Sequence, residues 1–178
     1  FLMVRWGKTD HYFDRLADDG FLEDFDRVIF YGSGPAGYAA AAYSITAPGA
    51  ELVLVAPRAT LDPAMTGWDE RHRIARRINF RSRFGYAPDL TESAARVWLI
   101  HDPLHRPDAM HAALFQRPWV VPLYARYTGE GTEDTLREMR VLRRQLQERG
   151  TFGRMIGASI EMRKIYQVIE QAAPTVAS

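Results

Sequence analysis

Apolar and polar positions change period several times along the chain, and each change marks an element. Residues 11–19 place Tyr12, Phe13 and Leu16 on one helical face, with Thr9 or Asp10 as N-cap and Gly20 at the C-terminal end. Residues 27–31 are a compact apolar run that predicts a strand, and a glycine-rich turn follows over 32–37. The alanine-rich stretch 35–47 predicts a helix that tolerates Pro35 in its first turn and is stopped by Pro48 and Gly49. Residues 51–55 are nearly all apolar, as in a strand buried on both faces. The short link between that helix and this strand predicts a right-handed βαβ unit.

Residues 56–67, with Pro57 and Pro63, predict a loop; 68–77 predict a basic helix; 79–88 predict irregular structure. A third strand is expected over 96–101, ended by Asp102-Pro103, then a helix over 108–115 capped by Asp108. A fourth strand over 119–123 contains Pro122, which suits an edge. Residues 132–149 form a long polar helix whose Leu136, Met139, Leu142 and Leu146 make one narrow stripe. Residues 150–157 break it, and Ser159 caps a last helix over 160–172 with Met162, Ile165, Ile169 and Ala172 on one face. The expected fold class is α/β, a three-layer arrangement about a parallel sheet, with an α/β domain over 1–140 and a helical extension over 141–178.

Composition narrows the function classes. The chain of 178 residues is 47% hydrophobic and 25% charged, which is ordinary globular usage. A net charge of +1 supplies no overall field for nucleic acid or membrane. The absence of cysteine excludes disulfides, thiolate nucleophiles and cysteine metal sites. No secretory or transmembrane-length apolar run is present, so the expected location is cytoplasmic and the expected partner is a small molecule. The opening on Phe1 reads as a fragment or a processed product.

The glycine turn admits two chemistries, or is only a structural corner between strand and helix. Gly32-Ser33-Gly34-Pro35-Ala36-Gly37 fits G-x-G-x-x-G between a strand and a helix, so Gly32, Gly34 and Gly37 are candidate pyrophosphate-binding residues for FAD or NAD(P). The carboxylate that would take the ribose at the end of the second strand is missing, and Arg58 is the residue there that suits a 2′-phosphate. The alternative is a nucleophile elbow, which also needs small residues around a tight strand-to-helix turn.

Residues 31–40, from Tyr31-Gly32-Ser33-Gly34 to Tyr38-Ala39-Ala40, resemble the elbow of an α/β-hydrolase-like family with the pattern Tyr-Gly-x-Ser-Met-Gly-Gly-Tyr-Ala-Ala. The likeness continues through Ala56-Pro57, Leu61-Asp62-Pro63, residues 68–71, residues 100–103 and residues 108–112, and spans about 24–123. It implies a hydrolase-like sheet, with Asp102 at the acid position. Gly34 stands where the family's serine would be, Ser33 comes one residue early, and Tyr124-Ala125-Arg126-Tyr127 holds no histidine after the fourth strand. The resemblance therefore implies a degenerate domain without Ser-His-Asp activity, and no cofactor.

Other constellations are weaker. Arg71, Arg73, Arg76, Arg77, Arg81 and Arg83, with Phe80, Phe84 and Tyr86, form a patch that suits an anion, or a solvated face. His101, His105 and His111 lie near Asp102 and Asp108, and their spacing suits local hydrogen bonding better than a metal. Asp62, Asp69 and Asp102 are candidate acid or base groups at the sheet's carboxyl edge, or turn formers. Residues 152–159 and 162–166 resemble the opening of the AAA+ domain of bacterial enhancer-binding transcription activators, but no G-x-x-x-x-G-K-[ST] follows, so ATPase chemistry is not implied. Two unrelated resemblances read as a fusion or truncated frame, and leave self-association through the C-terminal helices as a third function.

Overall fold

The computed structural model describes residues 9–71 and 84–148, together with positions 164 and 168. Four strands, β1 (Ile29–Ser33), β2 (Glu51–Val55), β3 (Arg96–His101) and β4 (Val120–Tyr124), form one sheet in the order β1-β2-β3-β4. Every pairing is parallel, with Tyr31 opposite Val53, Val53 opposite Trp98 and Trp98 opposite Val121. The helices are α1 (Thr9–Asp18), α2 (Gly34–Tyr43), α3 (Pro63–Thr66), α4 (Ala87–Leu90), α5 (Arg106–Leu114) and α6 (Thr132–Glu148). The chain is an α/β fold.

Alternation along each strand divides the core in two. Leu52, Leu54, Val97 and Leu99 share one cluster with Tyr38–Tyr43, which belongs to α2, and with Ala87 of α4, Ala112 of α5, and Phe115. The alanines of α2 allow close packing on the strands, and Phe13 of α1 stacks on Tyr43 with centroids 4.3 Å apart. Val53, Val55, Ile100 and Leu123 point the other way and cluster with Leu136 of α6 and with Val168. Each large aliphatic side chain fully buried in this way contributes about 1.5–3 kcal/mol. On the same side, the Tyr31 hydroxyl donates to Glu133 Oε1 at 3.3 Å. Burial first, and then the Glu133 carboxylate, push that phenol up to about 12.

Strands β2 and β3 fall on the expected apolar runs and β4 within one residue of its own, whereas β1 runs two residues later than expected and takes in Gly32 and Ser33 of the expected turn; Pro122 lies on an edge strand among the described residues. Several expectations need correction. Residues 68–71 are turn and loop rather than the start of a helix, and α3 and α4 appear in stretches expected to be irregular. Helix α5 begins at Arg106 with His105 as N-cap, so Asp108 lies inside the first turn and caps nothing. Helix α6 spans the stretch expected as a long polar helix. Of the last expected helix, positions 164 and 168 are helical, and the remainder of the AAA+-like stretch lies outside the described residues. No described helix is long and apolar enough to cross a membrane.

Candidate functional site at the carboxyl edge of the sheet

In a parallel sheet the loops after the strands' carboxyl ends carry ligands, and here those loops bring most of the candidate residues together. The strand-to-helix turn comes first. Ser33 is the extended N-cap of α2, and Gly34 follows with φ +54°. A Cβ at Gly34 would meet nothing within 4 Å, so the apex of the turn faces open space. At Gly32 a Cβ would lie 2.3 Å from the Ala36 carbonyl oxygen, and at Gly37 it would lie 3.0 Å from Pro57. Close approach therefore requires two of the three glycines, whereas backbone conformation favours the third.

The connection after β2 bends back over this turn. Ala56 adopts φ +43°, a strained value for a residue with a side chain, and the Arg58 N–H donates to the Gly34 carbonyl at 3.2 Å. The Arg58 side chain is only 5% exposed. Its Nη1 donates to Asp108 Oδ1 at 2.8 Å and to the Ala56 carbonyl at 2.9 Å. It is thus buried in an ion network rather than presented to a phosphate at the turn.

That network is the densest polar feature of the edge. Arg71 grips Asp69 with two parallel bonds, Nε to Oδ1 at 2.9 Å and Nη2 to Oδ2 at 2.8 Å, and its Nη1 reaches Asp108 Oδ1 at 3.0 Å. Asp108, 1% exposed, gives its second oxygen to His105 Nδ1 at 2.8 Å. The Ala59 N–H donates to His111 Nδ1 at 3.1 Å, so the ring proton sits on Nε2, which donates to Asp69 Oδ2 at 2.9 Å. Trp68 lies over the imidazole of His111 with ring centroids 4.6 Å apart. Two guanidinium groups thus face two carboxylates across a neutral histidine.

Burial and pairing set the charge states. Burial pushes the Asp69 carboxyl up, but the hydrogen bonds from His111 and Arg71 outweigh it and hold the group below the usual carboxylate range. Burial, then the Arg58 and Arg71 charges, lowers His111 against the opposing pull of Asp69. Burial and the neighbouring Arg71 charge also lower Arg58, partly offset by Asp108 and Asp69.

Asp102 lies apart from this network. Its Oδ1 accepts from the Leu104 N–H at 2.9 Å and its Oδ2 from the Gly129 N–H at 2.8 Å. Burial raises its carboxyl, and these amides with that of Thr128 pull it further down, so it stays ionised. Both oxygens are occupied in tying the loop after β3 to the loop after β4. His101 is buried against the edge of Tyr124, with ring centroids 5.5 Å apart, and its Nδ1 has no partner among the described residues. A groove of about 430 Å³, lined in part by His101, Ala109, Phe115, Pro122 and Tyr124, runs between α5 and β4.

Sequence reasoning singled out Gly32, Gly34, Gly37, Arg58, Asp69 and Asp102, and all lie at this edge. Asp62 does not join the network; its Oδ1 caps α3 through the Ala64 N–H at 2.9 Å. Of the arginine–aromatic patch, Arg71 belongs to the network and Phe84 to the core, while Arg73, Arg76, Arg77, Phe80, Arg81 and Arg83 lie outside the described residues, as does His72. No described group of three His, Asp or Glu side chains is placed to hold a metal ion. Sequence reasoning grouped Asp108 and His111 as local hydrogen-bonding residues but missed their shared partners Arg58, Ala59, Asp69 and Arg71. The spacing of Asp108 and His111 on α5 gave one signal, since residues three apart share a helix face. No family model, curated protein or solved structure matches the chain.

Proposed function

We propose that this is a degenerate α/β-hydrolase-like domain that binds a small ligand at the carboxyl edge of its sheet without Ser-His-Asp chemistry. The observation that carries the reading is Gly34. It occupies the apex of a tight strand-to-helix turn at φ +54°, with open space where a side chain would project. An elbow holds its nucleophile at such an apex, and here the apex has no side chain. Asp102, which the resemblance puts at the acid position, accepts from backbone amides on both oxygens and bonds no histidine among the described residues. The loop after β4 offers Tyr127, 86% exposed at φ +65°, in the stretch where the resemblance calls for a base. What is left is an open apex at the N-terminus of α2, with room for a ligand and no side chain to attack it.

Two observations weigh against FAD or NAD(P) as that ligand. Arg58 is committed to Asp108. The strand after β3 pairs with β3 rather than returning to the open side of β1, so the described sheet has no reversal of strand order beside the glycine turn.

The experiment is an amide-shift map of the full chain against a fragment library. Ligands are expected to perturb Gly34, Arg58 and their neighbours, and Gly34→Val is expected to abolish this while leaving β2 and β3 resonances in place. Perturbations confined to other surfaces would remove the reading, and saturable heats with FAD or NAD(P) would replace it with the dinucleotide one. A non-enzymatic interaction role has one observation in its favour: Val141 and Leu142 of α6 are each 51% exposed. A monomer across the accessible concentration range in sedimentation would remove the self-association version of that role.

A further inference from the structure

We propose that His111 is the trigger of an acid-opened latch that holds residues 58–71 against α5. Residues 56–71 follow β2 at the carboxyl edge; Ala59 and Leu61 pack in the core, and polar side chains tie the stretch to α5. Arg58 and Arg71 both bind Asp108 Oδ1, and His111 binds the segment at two points, the Ala59 N–H and the Asp69 carboxylate. One imidazole therefore spans both ends of the segment.

Its two bonds fix its protonation state. The nitrogen facing Ala59 must accept, so it cannot carry a proton while the latch is closed. A proton there would set two N–H groups against each other in a site that is fully buried. The surrounding charges act in the same direction. From the segment, Asp69, Arg58 and Arg71 face the ring; from α5, Asp108 and, through it, His105 complete the set; from the loop after β4, Glu130 lies 3.7 Å from Arg71. A third positive charge among these would leave two guanidiniums and an imidazolium against the two buried carboxylates. Burial and the two arginines depress the proton affinity of His111 in the closed form, which agrees with this geometry.

An imidazole that is neutral when closed and free to titrate when open couples opening to acid. Opening then grows by up to about tenfold per pH unit below about 6.5, until the closed form itself takes up the proton. The Ala59 amide reports this directly, because its acceptor is the imidazole itself.

The test is hydrogen exchange of the full chain between pH 7.5 and pH 5, with each rate divided by the intrinsic rate at that pH to give a protection factor. Protection at Ala59 and Asp69 is expected to fall by about tenfold per unit below about 6.5, while β2 and β3 amides keep theirs. His111→Gln, which keeps a donor for Asp69 but nothing that titrates, is expected to flatten that dependence. His105→Asn is expected to leave it. Protection at Ala59 that stays constant over this range, or a slope that persists in folded His111→Gln, would overturn the latch. Where His111→Gln does not fold, the native chain decides: loss confined to residues 58–71 supports the proposal, and equal loss across the sheet refutes it.

Discussion

Replacing Asp108 by asparagine removes one charge from a buried carboxylate that three side chains share. In the native chain Asp108 is 1% exposed and accepts from Arg58 at 2.8 Å, Arg71 at 3.0 Å and His105 at 2.8 Å. Arg71 keeps its paired bonds to Asp69 in the variant. Arg58 does not fare as well, because its next carboxylate, Asp69, is 3.7 Å from Nε and its own side chain is 5% exposed. A guanidinium is thus left buried with a neutral partner, and breaking a buried pair from one side costs about 3–5 kcal/mol. For a chain of this size that corresponds to a fall of about 10 °C in Tm. The assay is urea denaturation of Asp108→Asn at pH 7.5, with the slope against urea expected to stay unchanged. Arg58→Met is expected to cost less in the Asp108→Asn background than alone, by about 0.5–3 kcal/mol, because the charge it removes has already lost its partner. A loss below about 1 kcal/mol for Asp108→Asn would show that the network does not hold the edge together.

Stability should be highest between about pH 7 and pH 10. Asp69 and Asp102 are held below their usual range, so their contribution is present above about 4 and is lost as pH falls. His101 and His111 are also depressed, so acid below about 6.5 favours the unfolded chain. Tyr31 is pushed up to about 12, so its contribution is lost as pH rises from about 10; denaturant midpoints across pH check all three, and a maximum below pH 6 would contradict them. Gly34→Ala should cost only about 1–2 kcal/mol, the strain of a left-handed residue, whereas Gly32→Ala, whose Cβ would lie 2.3 Å from Ala36 oxygen, should prevent cooperative folding; equal midpoints for the two variants would contradict the described turn. Deleting residues 150–178 should leave a cooperative transition lowered by about 1.5–3 kcal/mol, the loss of the buried Val168 side chain; loss of all cooperativity would place the tail in the main core.

The parts of this molecule that were legible in its sequence are those governed by local rules. The apolar runs 51–55 and 96–101 read as strands because both faces are covered, and Pro35 and Gly20 mark helix ends by their own backbone preferences. Residues 68–71 misled because a basic run with helical spacing resembles a solvated helix, while tertiary pairing of Asp69 and Arg71 with α5 holds them as loop. Asp108 was read as a cap because a carboxylate near a helix start commonly serves that way; its actual partners are 50 and 37 residues away. Arg58 misled for the same reason: its position after β2 suggested a phosphate, and only the folded chain brings Asp108 beside it. The strand-to-helix turn at Gly34 was legible because closely spaced glycines after an apolar run signal such a turn by their own backbone freedom.

Turnover of an activated ester such as p-nitrophenyl acetate, compared between the native chain and Ser33→Ala, decides whether the turn carries a nucleophile. The expected result is no saturable turnover in either, because the apex is Gly34 and both oxygens of Asp102 are held by amides. Saturable turnover by the native chain that disappears in Ser33→Ala would contradict it, since Ser33 would then be acting as the nucleophile that the turn is argued to lack.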